Sequence, residues 1–163
     1  MLIDFVRFAS PAVAAGALVA AALHDLRSYQ IPNRFAAAIA LAFLVASLGG
    51  SLREAISGLA LAVVVLAGGI VLFARHWLGG GDVKLLAATA LWVPAPLVAG
   101  FALVTSLAGA VLAIALLTPL RRQLPTPPTE LVAGTAGALR QPMPFGVAIA
   151  VGGLFVLCTR VTG

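Results

Sequence analysis

The sequence predicts an all-α membrane protein, a bundle of six transmembrane helices, and three observations carry that reading. Of its 163 residues, 62% are hydrophobic and only 9% charged, against about 25% charged in a typical soluble domain. Mean hydropathy is +1.13. The apolar residues gather into runs at 5–23, 35–50, 55–74, 97–117 and 145–158, with a shorter glycine-led run between 77 and 93. A helix rising 1.5 Å per residue needs about 20 residues to cross the hydrocarbon core. Open strands are excluded there because their backbone groups would go unpaired. Such a chain has too few polar groups for a water-facing surface, and too much apolar surface to stay disordered. It reads as one membrane-embedded domain over 1–163.

The first run is read as a span rather than a cleaved signal, because residues 1–7 hold one Asp and one Arg and lack a positive n-region. It ends at His24-Asp25-Leu26-Arg27, and Ile31-Pro32-Asn33 leads into the second. The third follows Arg53 and Glu54. The fourth is short: Val83 to Val93 is eleven residues, roughly 16 Å of helix. Pro94 and Pro96 then break the chain. Charge decides whether 83–117 is one kinked span or two. With six spans, Arg27, Arg34, Arg75, Lys84, Arg121, Arg122 and Arg140 share one side, and Arg7, Arg53 and Arg160 the other, seven to three. Five spans would split them five to five. Positive charge collects on the cytoplasmic side, so six spans with both termini outside is the expectation. The last span starts near Pro144-Phe145-Gly146, after a long connection at 118–142 that carries Pro125, Pro127, Pro128 and Pro142. Connections of that length tend to be functional or disordered.

Ten Lys and Arg against five Asp and Glu give a net charge of +5, and the isoelectric point is 11.2. No basic run or aromatic platform supports nucleic-acid binding; the expected surroundings are a lipid bilayer. Cys158 is the one cysteine, which excludes an internal disulfide and a thiolate metal site. His24 and His76 without a carboxylate cluster are poor metal ligands, so no metal and no cofactor is expected. Trp77, Trp92 and Tyr29 read as interface anchors.

Five acids remain to be placed. Asp4 reads as an interfacial charge near Arg7, Glu54 as a helix-start acid, and Glu130 as a solvated loop carboxylate. Asp25 and Asp82 differ, because both fall at the inner edges of apolar spans. The shortness of the fourth span requires Gly79-Gly80-Gly81-Asp82 to dip into the membrane. Irregular backbone at that depth survives only inside protein or beside a water cavity, and an ionisable group there is costly. The glycines permit close approach of another backbone, such as an extended peptide. Two carboxylates at one depth form an acid–base pair, one taking a proton from water while the other donates to a carbonyl. Local pairing of Asp25 with Arg27, or Asp82 with Lys84, is the bland alternative, but residues two apart on a helix do not face each other.

Asp25-Leu26-Arg27 with Ile31-Pro32-Asn33, then Gly79-Gly80-Gly81-Asp82-Val83-Lys84, resembles the prepilin peptidases, membrane-embedded aspartic proteases bearing a Gly-x-Gly-Asp motif. Pro144-Phe145-Gly146 is similar to the family's proline- and glycine-bearing start of the last helix. The resemblance implies catalysis by Asp25 and Asp82. Gly79, Gly80, Gly81, Lys84, Arg27, Pro32, Asn33, Pro144, Phe145 and Gly146 would support the motif or bind substrate. It also implies cleavage of the short basic leader of type IV prepilins, after a glycine, at the cytoplasmic face of the inner membrane. Larger members carry a soluble region with paired Cys-x-x-Cys motifs, associated with methylating the new N-terminus. This chain, with one cysteine, resembles the minimal peptidase-only branch of tight-adherence (Flp-type) pili, or archaeal preflagellin peptidases. A competing reading is a small transporter or pilus-assembly subunit, with the two aspartates as a proton relay or helix-pairing groups.

Overall fold

The computed structural model describes residues 2–118 and 143–162, with side chains described from 9 to 160 within them. The expectations for Asp4, Arg7, Glu130, Arg121, Arg122, Arg140 and the proline-bearing connection after Thr118 lie outside that description. The described chain is helical throughout: α1 (Leu2–Ser28), α2 (Asn33–Ser47), α3 (Leu52–Ala74), α4 (Gly80–Ala90), a 3-10 turn (Ala95–Leu97), α5 (Val98–Leu117) and α6 (Gly146–Thr162). The segments Ala9–Ser28, Leu52–Ala74 and Ala95–Leu117 are long and apolar enough to cross a bilayer, while α2 and α6 are shorter apolar helices. This is an all-α membrane protein.

Small residues set the helix pairings. α3 buries Gly58, Ala62 and Gly69 on one narrow seam, and the seam faces α4. A Cβ at Gly58 would strike the Leu91 carbonyl oxygen, and one at Gly69 would stand 2.6 Å from Val83 Cγ1. Missing side chains at both places let the two backbones close up, the usual device between helices in lipid. The residue numbers run in opposite directions, so α3 and α4 are antiparallel. In the same way Gly100 meets Phe155, Gly152 meets Thr105 and Gly109 meets Phe145, which makes α5 antiparallel to α6. α1 packs between α2 and α6, and α4 rests on α2, α3 and α6. Leu18, Ala21, Ile39, Phe43, Leu85 and Ile149 form the core where these helices meet.

Polar contacts sort to two ends of the bundle. At one end Gly146 meets Asp25, and Lys84 meets Asn33. At the other, Arg160 near the end of α6 pairs with Glu54 in the first turn of α3 at 3.1 Å. Glu54 therefore has a specific cation partner rather than being only a helix-start charge. The break expected at the prolines is present: α4 stops at Ala90, Pro94 is extended (φ −65°, ψ 151°), and α5 begins after the 3-10 turn.

The C-terminal end of α4 is recessed relative to α3, whereas its start at Gly80 lies beside Phe73, next to the last residue of α3. Val83, the fourth residue of α4, lies opposite Gly69, five residues before the last residue of α3. Leu91 lies opposite Gly58, six residues after the first, about 9 Å along the helix. This corrects the reading of Trp92 as an interface anchor. The residue falls just beyond a helix that ends well inside the bundle, so its indole is buried at 2% exposure. Its Nε1–H donates to the Ile39 carbonyl of α2 at 3.1 Å, and the ring lies edge-on to Phe43 with centroids 5.7 Å apart. Trp77, in contrast, is exposed.

Candidate active site

Asp25 lies on the last turn of α1 and is 3% exposed. Its Oδ2 accepts the Gly146 N–H of α6 at 2.8 Å. The chain leaves α1 through Tyr29, whose φ of 53° is left-handed and whose N–H donates to the Asp25 carbonyl at 2.8 Å. Glycine usually fills such a helix-ending position; a tyrosine there costs about 1–3 kcal/mol of strain. His24 and Ser28 help to hold the turn. The His24 Nδ1 is 2.9 Å from the Gln30 carbonyl and 2.7 Å from the Ser28 hydroxyl, which donates to the His24 carbonyl at 2.7 Å. The His24 ring also lies edge-on to Phe35, with centroids 5.8 Å apart.

Pro32, held at φ −60° and ψ 140°, starts α2, and Asn33 is its first helical residue. Asn33 Oδ1 accepts from Lys84 Nζ of α4 at 3.0 Å. With Lys84 turned to Asn33 and Asp25 to Gly146, neither aspartate is balanced by the cation two residues along the chain.

Asp82 is the third residue of α4, with Gly79 as the N-cap. Its carboxylate folds back to the Gly79 N–H, the arrangement of the return half of a capping box. Each glycine of the triplet has a separate neighbour. A Cβ at Gly79 would lie 2.7 Å from Asp82 Oδ2, one at Gly80 3.3 Å from the Phe73 ring, and one at Gly81 3.0 Å from both the Ile31 Cβ and its carbonyl oxygen. The close backbone approach expected of an incoming peptide is thus already made at Gly81 by Ile31. The Ile31 side chain reaches further, to α6, where its Cδ1 would be 2.8 Å from a Cβ at Gly146. Ile31 therefore sits between the starts of α4 and α6.

These segments enclose a cavity of about 300 Å³ lined by both Asp25 and Asp82. Two carboxylates carried on different helices, 57 residues apart in sequence, face one space. Gly79, Gly80 and Gly81 line it too, as do Tyr29, Gln30, Ile31 and Met143. The last four were not expected at the site. Ile31 belongs to the Ile31-Pro32-Asn33 motif, Tyr29, expected as an interface anchor, lines the cavity instead, and Gln30 and Met143 carry no sequence signal of their own. Pro32, Asn33, Lys84, Pro144, Phe145 and Gly146 form the frame rather than the lining. Pro144 is buried, and Phe145 packs where Gly109 of α5 leaves room. Arg27 is exposed on the last turn of α1 and does not line the cavity.

The model of the type IV leader peptidase family matches residues 12–114, a stretch that contains both aspartates, all of α4 and the part of α1 from residue 12 onward. The chain belongs to the type IV leader peptidase family. As a member it is a membrane peptidase, and its substrates are the leader-bearing precursors of type IV pilins. The match ends before α6, so the leader peptidase contact between Gly146 and Asp25 joins the matched region to a helix beyond it. Comparison with curated proteins and with solved structures gives no match.

Proposed function

We propose that this leader peptidase is an aspartic endopeptidase in which Asp25 and Asp82 act as one acid–base dyad. The observation that carries the reading is the shared cavity: two carboxylates from separate helices open onto one space large enough for water and a stretch of peptide. Two such groups hold one proton between them. The ionised carboxylate takes a proton from water, whose oxygen attacks the scissile carbonyl, while the protonated one donates a hydrogen bond to the carbonyl oxygen. The tetrahedral intermediate collapses as a proton passes to the leaving amine. The carboxylates perform each of these transfers directly, so the scheme needs no cofactor.

The substrate in this reading is the short basic leader of a Flp-like prepilin, cut after its glycine. The site opens at the cytoplasmic face of the inner membrane, the side to which the seven-to-three division of Lys and Arg assigns the ends of α1 and α3. Residues 1–163 form one peptidase domain without methyltransferase activity, in keeping with the single Cys158. Purified protein in detergent, incubated with a tagged prepilin, is expected to release the leader at one position. Failure to cut any leader-bearing prepilin, or cleavage that survives loss of either aspartate, would overturn the dyad.

A further inference from the structure

We propose that Gly146 is a positioning residue whose main-chain N–H aims the Asp25 carboxylate into the cavity, in a space that admits no side chain. The proposal rests on the dyad reading above, and three observations support it. The Gly146 N–H points at Asp25 Oδ2 from 2.8 Å, and both residues are buried. Gly146 opens α6, so its N–H is among the first of the helix, which have no acceptor within it and can be donated without breaking the helical ladder. A Cβ at 146 would lie 2.9 Å from Asp25 Oδ2 and 3.2 Å from Asp25 Cβ, as well as 2.8 Å from Ile31 Cδ1. Two of its three nearest atoms would belong to the aspartate. Hydrogen bonds to an ionised acceptor are roughly twice as strong as neutral ones, so this one holds the carboxylate most firmly when Asp25 is the ionised member of the pair. α6 thus completes a site whose two acids are on α1 and α4.

The competing role for Gly146 is to make room for Ile31, and one substitution separates the two. Ile31→Val deletes the Cδ1 atom and, of those three neighbours, leaves the two Asp25 atoms facing a Cβ at 146. The test is a mutant cycle on the purified full chain, read as kcat and KM for cleavage of a synthetic prepilin. Gly146→Ala is expected to lower kcat about 100-fold, the usual scale for an ångström of misplacement. KM should change little, and the same factor should appear in the Ile31→Val background. A loss that vanishes in that background, or that falls on KM, overturns the proposal.

A second measurement needs no Gly146 variant. In ¹⁵N-glycine-labelled protein in micelles, the Gly146 amide proton should resonate downfield in the wild type and move upfield in Asp25→Asn, where the acceptor is neutral. An amide that does not move, alongside an inactive Asp25→Asn, overturns the positioning role and leaves the dyad intact. An active Asp25→Asn overturns the dyad, and the proposal with it, wherever the amide resonates.

Discussion

Alanine at Gly58 and at Gly68 of α3 should leave proteins of different stability, although the two substitutions are chemically identical. Gly68 is exposed, and a Cβ there would have nothing within 4 Å. Gly68→Ala therefore keeps the full gain in helix propensity, about 1 kcal/mol. At Gly58 the added carbon would collide with the Leu91 carbonyl oxygen, with the carbonyl carbon and the Phe43 ring each 3.2 Å away. Backbone atoms cannot rotate aside, so α3 or α4 must move. Overpacking of this kind costs about 1–3 kcal/mol. The propensity gain is common to both variants and cancels between them, so Gly58→Ala should be less stable than Gly68→Ala by about 1–3 kcal/mol. The assay is unfolding in mixed micelles by SDS titration, followed by circular dichroism. Equal midpoints for the two variants would show that α3 does not rest on Leu91 and that the seam has been misread.

Other expectations follow from the site. Asp25→Asn and Asp82→Asn should each abolish prepilin cleavage while leaving folded protein in the membrane, because neither half of the pair replaces the other; a substantial residual rate in either would refute the dyad. Incubation with prepilin and S-adenosylmethionine should yield a cleaved, unmethylated product, and mass spectrometry showing the methylated mass would refute the peptidase-only reading. Lys84→Met and Asn33→Ala should be non-additive in stability, with a coupling of about 0.5–1.5 kcal/mol for one hydrogen bond; strict additivity would show that the contact between them is not made in the membrane.

Asp25, Asp82 and the turn at Pro94 were legible because each departs from its surroundings: an acid at the edge of an apolar run, or a proline inside one. The fourth run was also legible as short, and α4 is eleven residues long. Trp92 was misread for a related reason. An aromatic residue at the end of a span looks interfacial only if the span ends at the interface, and the recess of that end of α4 is set by Gly58 on another helix. The glycine triplet was identified as a place of close approach, but not what approaches. Ile31 fills Gly81 through a tertiary contact across 50 residues of chain. The Gly146 N–H was invisible altogether, because a main-chain donor has no signature in a list of side chains.

The bond between Gly146 and Asp25 joins residues 121 apart in the chain, and that separation has a consequence in time. At roughly 5–20 residues per second, the ribosome needs about 6–24 s after making Asp25 before Gly146 exists. During that interval α1, α2 and α4 can already meet, with the carboxylate of Asp25 lacking its donor. Only the arrival of α6 seats it. Insertion of the last described helix is thus the step that turns an unfinished bundle into one holding its acids in place, and an early stop in translation would leave both aspartates present and the first of them unseated.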